Sequence, residues 1–209
     1  VSAKLNQRDS SSLLLTFANT FVSNQDYRIS IKNITDLNGN SFSEHIESFH
    51  FFIPDVASYG DIIINEIMSD PSPIVDLPEA EYVELFNRSE KFIDIANYTL
   101  SGSVITTHPF ILDPGEYVLL CDDADYSELM SYGQTLPVFS WNRLTNSGEK
   151  IILRDVIQGI VIDEVSYSTS WFNSSTKDDG GWSIERIDSE NMCSNKENWT
   201  ASIHPTGGT

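Results

Sequence analysis

Runs of β-branched and aromatic residues recur along this chain, separated at near-regular intervals by clusters of Asn, Asp, Gly, Ser and Pro. The pattern predicts β-structure throughout, in which side chains two apart share one face of a strand. SLLLTF (12–17), DYRISIK (26–32) and IESFHFFI (46–53) read as strands, with the turn signal TDLNGNS between the last two. PDVASYG (54–60) breaks the pattern and reads as a linker. Beyond it strands are expected at 61–68, 80–86, 92–95, 97–103, 116–121, 149–154, 159–167 and 182–187. Only DDADYSELMSY (122–132) suggests a helix, of one or two turns, with Asp122 or Asp123 as its cap. SWFNSSTKDDGG (170–181) reads as a long polar loop and 188–209 as a strandless tail.

Short strands separated by turn chemistry imply an all-β fold, an antiparallel sandwich or barrel. Two modules are expected: a partial β module at 1–56 and a sandwich domain at 57–209. Three strands are too few to close a sandwich. The first module is therefore expected to be the back half of a domain cut at Val1, or strands that dock on a neighbour. With Val1 rather than Met at its start, the chain is expected to be an excerpt or mature fragment of something longer.

Charge narrows the function. The chain carries 31 acidic and 12 basic residues, a net charge of −19. That field repels phosphate backbones and argues against nucleic-acid partners, while it tolerates cations. No apolar run is long enough to span a membrane as a helix.

The segment DIIINEIMSDPSPIVDLPEAEYVELFN (61–87) poses the central chemical question, because Glu66, Glu81 and Glu84 sit among apolar residues. Strict alternation puts Glu66 on one face with Ile62 and Ile64, so a buried carboxylate is expected, and it needs a cation or several donors. Arg186 is the expected partner, making Glu66, Glu84 and Arg186 a structural ion-pair group. A hydrolase using Glu66 and Glu84 is a distant alternative. In the loop, Asp70, Asp76, Glu79 and Glu81 lie close in sequence and offer oxygen ligands to calcium, against the plainer reading of a solvated loop. No other cofactor is indicated. A second calcium candidate places Asp36, Asn38, Asn40, Glu44 and Glu47 at EF-hand positions, but Ser41 stands where the tight turn needs glycine and strands flank it. Trp171 and Phe172, in the polar loop, suggest a stacking platform for sugar rings; the alternative is that such rings fill the core. His45, His50, His108 and His204 show no metal-ligand spacing. Cys121 and Cys193 either form one disulfide or are two separate thiols. Five N-x-[ST] sequons, at Asn33, Asn87, Asn97, Asn173 and Asn198, would be glycosylation sites in a secreted eukaryotic chain.

Several motifs in order resemble a lamin tail domain of the bacterial type. They are Ile64-Asn65-Glu66, then Glu81 to Asn87 (EYVELFN), Leu112 to Leu119 (LDPGEYVL), Asn146 to Leu153 (NSGEKIIL), Val161 to Tyr167 (VIDEVSY), Gly181 to Ile187 (GWSIERI) and Asn198-Trp199. Ile95 to Ser101 fits less closely, with Ala96-Asn97 and Tyr98 in place of the usual Ser-Gly and Trp. The resemblance spans about 61–209 and implies an immunoglobulin-like β-sandwich. Tyr27 to Asn40, then Phe49 to Phe51, resemble the end of a bacterial immunoglobulin-like repeat. Together these imply a non-catalytic binding or spacer module of a larger extracytoplasmic protein, at the cell surface, secreted or periplasmic. Its expected partners are other domains of the parent, a surface protein or a glycan. A calcium-dependent adhesive or glycan-binding module is the alternative.

Overall fold

The computed structural model describes residues 1–6, 11–36 and 38–209. It falls into two compact units, Val1–Ile53 and Pro54–Thr209.

The first unit consists of two hairpins. Strand β1 (Ser2–Leu5) pairs with β2 (Leu13–Thr16), and β3 (Gln25–Thr35) with β4 (Ser41–Phe51), all antiparallel. The second turn is held by Asp36, whose carboxylate accepts from the Asn38 and Asn40 backbone N–H groups and the Asn40 amide, each at 2.8 Å. Asp36 thereby stays below the ordinary carboxylate range, through its bond to Asn40 first. The EF-hand-like spacing is thus an Asx-type turn of a hairpin; Leu37 within it lies outside the described residues. Phe21 gathers Phe17, Tyr27, Phe49 and Phe51 at ring-centroid distances of 4.7–5.4 Å. None of this unit's described side chains is fully buried.

The second unit is a two-layer sandwich. Its larger sheet uses β5 (Ile62–Met68), β6 (Tyr82–Asn87), β11 (Tyr117–Asp122), β12 (Thr135–Val138), β15 (Ile184–Arg186) and β16 (Trp199–Ala201), in the order β12-β11-β6-β5-β15-β16. The smaller sheet uses β8 (Tyr98–Leu100), β9 (Ser103–Val104), β13 (Lys150–Asp155) and β14 (Ile160–Ser166), in the order β14-β13-β8-β9. A short pair, β7 (Ile93–Asp94) with β10 (Ile111–Leu112), completes the strands. The strand pairings in this unit are antiparallel except β11 with β12, which run parallel, and an isolated parallel bridge joins Asp55 to Ile93. The inward residues of both sheets, among them Ile64, Val83, Leu120, Leu153, Ile162 and Trp199, form one continuous core.

The single helical turn, α1 (Tyr126–Leu129), is shorter than 122–132, and its cap position is Asp125, with no side-chain cap bond. Asp122 instead accepts the Ala124 N–H, tightening the turn before it. Leu129 packs with Met68, Leu77, Ala80, Tyr82, Leu119 and Cys121 in a second apolar cluster on the outer face of the large sheet. The tail is not strandless: β16 extends the large sheet, and Trp199 on it is fully buried. Among the described residues no helix is long and apolar enough to cross a membrane.

Candidate functional site

A bulge decides where the carboxylates of 61–87 point. Ile62 pairs with Asn87 and Ile64 with Leu85, but Glu66, not Asn65, pairs with Glu84. Asn65 is the extra residue, and one extra residue reverses which face the rest of the strand presents. Ile62, Ile64 and Ile67 therefore all reach the main core, whereas Glu66 turns outward with Met68. Strict alternation, which put Glu66 with Ile62 and Ile64, fails at this bulge.

The outer face carries a row of three carboxylates. Glu66 is the cross-strand partner of both Glu84 on β6 and Glu185 on β15. Glu66 is 3% exposed, yet no guanidinium meets it. Its Oε1 accepts from the Tyr82 hydroxyl and the Ser183 hydroxyl, each at 2.6 Å, and from the Thr209 N–H at 2.8 Å; its Oε2 accepts the Thr209 hydroxyl at 2.9 Å. Burial, with Glu66 beside it, holds the Tyr82 phenol well above its ordinary value. Gly208 lies so close that a Cβ there would stand 2.4 Å from the Tyr82 hydroxyl. Glu84 accepts from the Asn65 amide at 2.9 Å. Burial foremost, with the nearby Glu66 charge, lifts its carboxyl to about 7. Burial and then Glu66 also raise Glu185.

Arg186 lies on the other face. Its Nη2 donates to Asp163 at 2.8 Å and its Nε to the Ile64 carbonyl at 2.7 Å, while Asp163 also accepts the Ile64 N–H at 2.8 Å. The ion pair expected with Glu66 and Glu84 is thus made with Asp163, because Arg186 shares the inward face with Ile184 and Glu185 takes the outward one. Burial lifts Asp163 above the usual carboxylate range, and Arg186 limits the rise. Sequence reading missed Asp163, although it is two residues from Val161 and Val165 and four from Tyr167, and so shares a face with them.

The acidic loop does not form the expected calcium group. Asp70, Glu79 and Glu81 line a cavity of about 410 Å³, but Asp76 is not part of it, and Asp122 and Asp125 join from elsewhere in the chain. Glu81 receives the Trp141 indole N–H at 3.0 Å and the Leu144 N–H at 2.9 Å, and Glu79 receives the Ser72 hydroxyl. Among the described residues no three His, Cys, Asp or Glu side chains converge where they could hold a metal ion.

The sugar platform is also corrected. Trp171 and Phe172 are 8% and 5% exposed and belong to the core, with Trp171 on Trp199 at 5.9 Å between ring centroids. Trp171 sits in the 3₁₀ turn Thr169–Trp171, which packs on β16 at the edge of the large sheet, so its ring turns inward although its neighbours are polar. Cys121 and Cys193 are both free thiols. Cys121 is buried in the second cluster and its thiol is pushed up to about 12 by burial first, then by Asp125. Two sequon asparagines are structural: Asn87 donates to the Lys91 and Leu112 carbonyls, and Asn198 to those of Asp188, Asn191 and Cys193.

A trough of about 780 Å³ lies between the β9 edge of the small sheet and the β12 edge of the large one. One wall is Ser101 to His108; the other carries Leu136, Pro137, Phe139, Ser140 and Asn142. The Ser103 hydroxyl to the Ser140 carbonyl, and the Asn142 amide to the Ser101 carbonyl, tie the walls together. Phe139 is 90% exposed at its rim.

The sandwich can be compared with known proteins on these terms. The family model of the Lamin Tail Domain matches residues 55–169, more than half of the chain. The chain belongs to the lamin tail domain family. Its second unit is accordingly an immunoglobulin-like β-sandwich, and such domains are generally non-catalytic modules. The match takes in β5 to β14, and so the bulge at Asn65, the acidic cavity loop and both walls of the trough. No curated protein and no solved structure matches the chain.

Proposed function

We propose that this chain is a non-catalytic binding and spacer module of a larger secreted or surface protein of a bacterium. In this reading it lies outside the cytoplasm and attaches its parent to a protein or a surface, and the first unit is part of an immunoglobulin-like repeat. The supporting observation is how the interior ionisable groups are used. Glu66 takes four donors from three segments, and Asp163 and Arg186 bind each other and both backbone groups of Ile64. These are fastenings between strands. Neither Glu66 nor Glu84 lines the acidic cavity or the trough. Recognition is left to the exposed surface, where the trough is a broad concavity.

The test uses the full chain, fluorescently labelled and mixed with cell envelopes of the producing organism. Saturable sedimentation with the envelopes, competed by unlabelled chain, is expected. A chain that stays in the supernatant at every envelope concentration overturns the attachment reading.

A further inference from the structure

We propose that the trough between β9 and β12 is a binding site for a short neutral oligosaccharide; this rests on the attachment reading above. Charge gives the first argument. In a chain with 21% charged residues and a net charge of −19, no Asp, Glu, Lys or Arg lines the trough. The lining holds no fixed charge, its one ionisable side chain being His108, so it offers little to compensate the desolvation of an ionic ligand and favours a neutral one.

The walls supply what a neutral sugar needs. Sugars present hydroxyls that both donate and accept, together with apolar C–H faces. Exposed Thr107, Ser140 and Asn142 carry side chains that can do both. The Phe139 ring, almost wholly in solvent, offers an aromatic face beside the half-buried Leu136. An aromatic ring this exposed leaves a large apolar area in water and stands out from the ordinary surface. The volume, about 780 Å³, falls in the range of small-ligand sites. The ties from Ser103 to Ser140 and from Asn142 to Ser101 hold both walls in place before any ligand arrives, which lowers the ordering cost of binding.

An extended peptide fits less well. Strand addition requires a run of unpaired backbone groups along an edge. Strand β9 is two residues long, and β12 contains Pro137, which has no N–H to give. Both edges are blunted in the way that proteins suppress strand recruitment.

The experiment exposes the labelled full chain to an array of neutral and anionic oligosaccharides, in parallel with the Phe139→Ala chain. Binding confined to neutral saccharides, and weakened at least tenfold by Phe139→Ala, is expected. Phe139 is exposed, so the variant should melt as the parent does, and a thermal scan checks this. Three results overturn the proposal: no neutral saccharide binds, binding survives Phe139→Ala unchanged, or a Val-Thr peptide rather than a saccharide shifts the Val104 and Leu136 amide resonances. Envelope sedimentation separates the two readings. If the parent and Phe139→Ala sediment equally, attachment stands and the trough assignment falls; if neither sediments, attachment itself falls.

Discussion

Arg186 and Asp163 meet at 2.8 Å between the two sheets, their side chains 1% and 4% exposed. Around them the Ile64 N–H and C=O are both taken, one by each partner, just before the bulge at Asn65. The pair therefore takes up both backbone groups of Ile64, which lies outside the β5–β15 pairing at Glu66 and Ile67. Arg186→Met, which strands a buried carboxylate, should destabilise by about 3–5 kcal/mol in urea unfolding. Arg186→Lys should recover little of this, because one ammonium does not reproduce the fork that reaches Asp163 and Ile64 together. A double variant with Asp163→Leu should lose less than the sum of the two single changes.

Glu66 works differently, since its donors are neutral. Removing the carboxylate with Glu66→Ala leaves the Tyr82 and Ser183 hydroxyls and the Thr209 N–H without their acceptor. At about 1 kcal/mol or more for each stranded donor, the loss should be about 3 kcal/mol or more. Glu66→Gln keeps one oxygen for these donors and turns the other position into a donor, which the Thr209 hydroxyl can accept by rotating. Its cost should be about 1 kcal/mol. The chemical-denaturation midpoints of the two variants, compared with the parent, decide this; equal losses would show that charge rather than acceptor capacity matters at this position.

Glu84 gives the sandwich a pH dependence opposite to that of a salt-bridged carboxylate. Its carboxyl is lifted to about 7 in the folded chain by burial first, and returns towards its ordinary value of 4.5 on unfolding. Between those limits the folded state holds more protons than the unfolded state, so stability falls as pH rises from about 4.5 to 7. The full effect is up to about 3 kcal/mol. Glu84→Gln removes the ionisation and keeps the acceptor for Asn65. The variant should therefore lose this slope and melt higher than the parent at pH 8. Thermal scans from pH 5 to pH 8 compare the two, and parallel curves would mean that Glu84 does not titrate in this window.

The two-layer architecture is legible from sequence because alternation reports burial directly: Val83 and Leu85, or Val118 and Leu120, are read correctly without any structure. Side-chain pairing is less legible, because it depends on register. The single extra residue at Asn65 moves Glu66 to the outer face, and nothing in INEIM marks it. The partner of Arg186 is misassigned for the same reason: strict alternation puts Glu66 inward, whereas Asp163, which alternates with Val165 and Tyr167, is the carboxylate that stays inside. Trp171 and Phe172 mislead because polar neighbours mark the loop and not the direction of its rings. The trough is invisible because Phe139 reads as one more apolar residue in LPVFSW, and its exposure follows from where β12 ends. The β16 strand is missed because three residues are too few for a period to show.

The cysteines allow a direct chemical check. With both thiols free, no disulfide links β11 to the loop after β15. Cys193 is partly exposed, whereas Cys121 is buried with its thiol pushed up to about 12. The thiolate is the reactive species, so burial and the raised value both slow Cys121. A disulfide reagent added to the native chain at pH 8 should label Cys193 promptly and Cys121 only as fast as the chain opens. In denaturant both should react, giving two thiols per chain. Labelling of neither until a reductant is added would mean that the two are bonded to each other. Labelling of both at equal rates in the native state would mean that the cluster of Met68, Leu77 and Leu129 around Cys121 opens readily. With Cys121 slow in the native chain, Leu129→Ala should bring its rate up towards that of Cys193, because the reagent gains access through the cavity the leucine leaves.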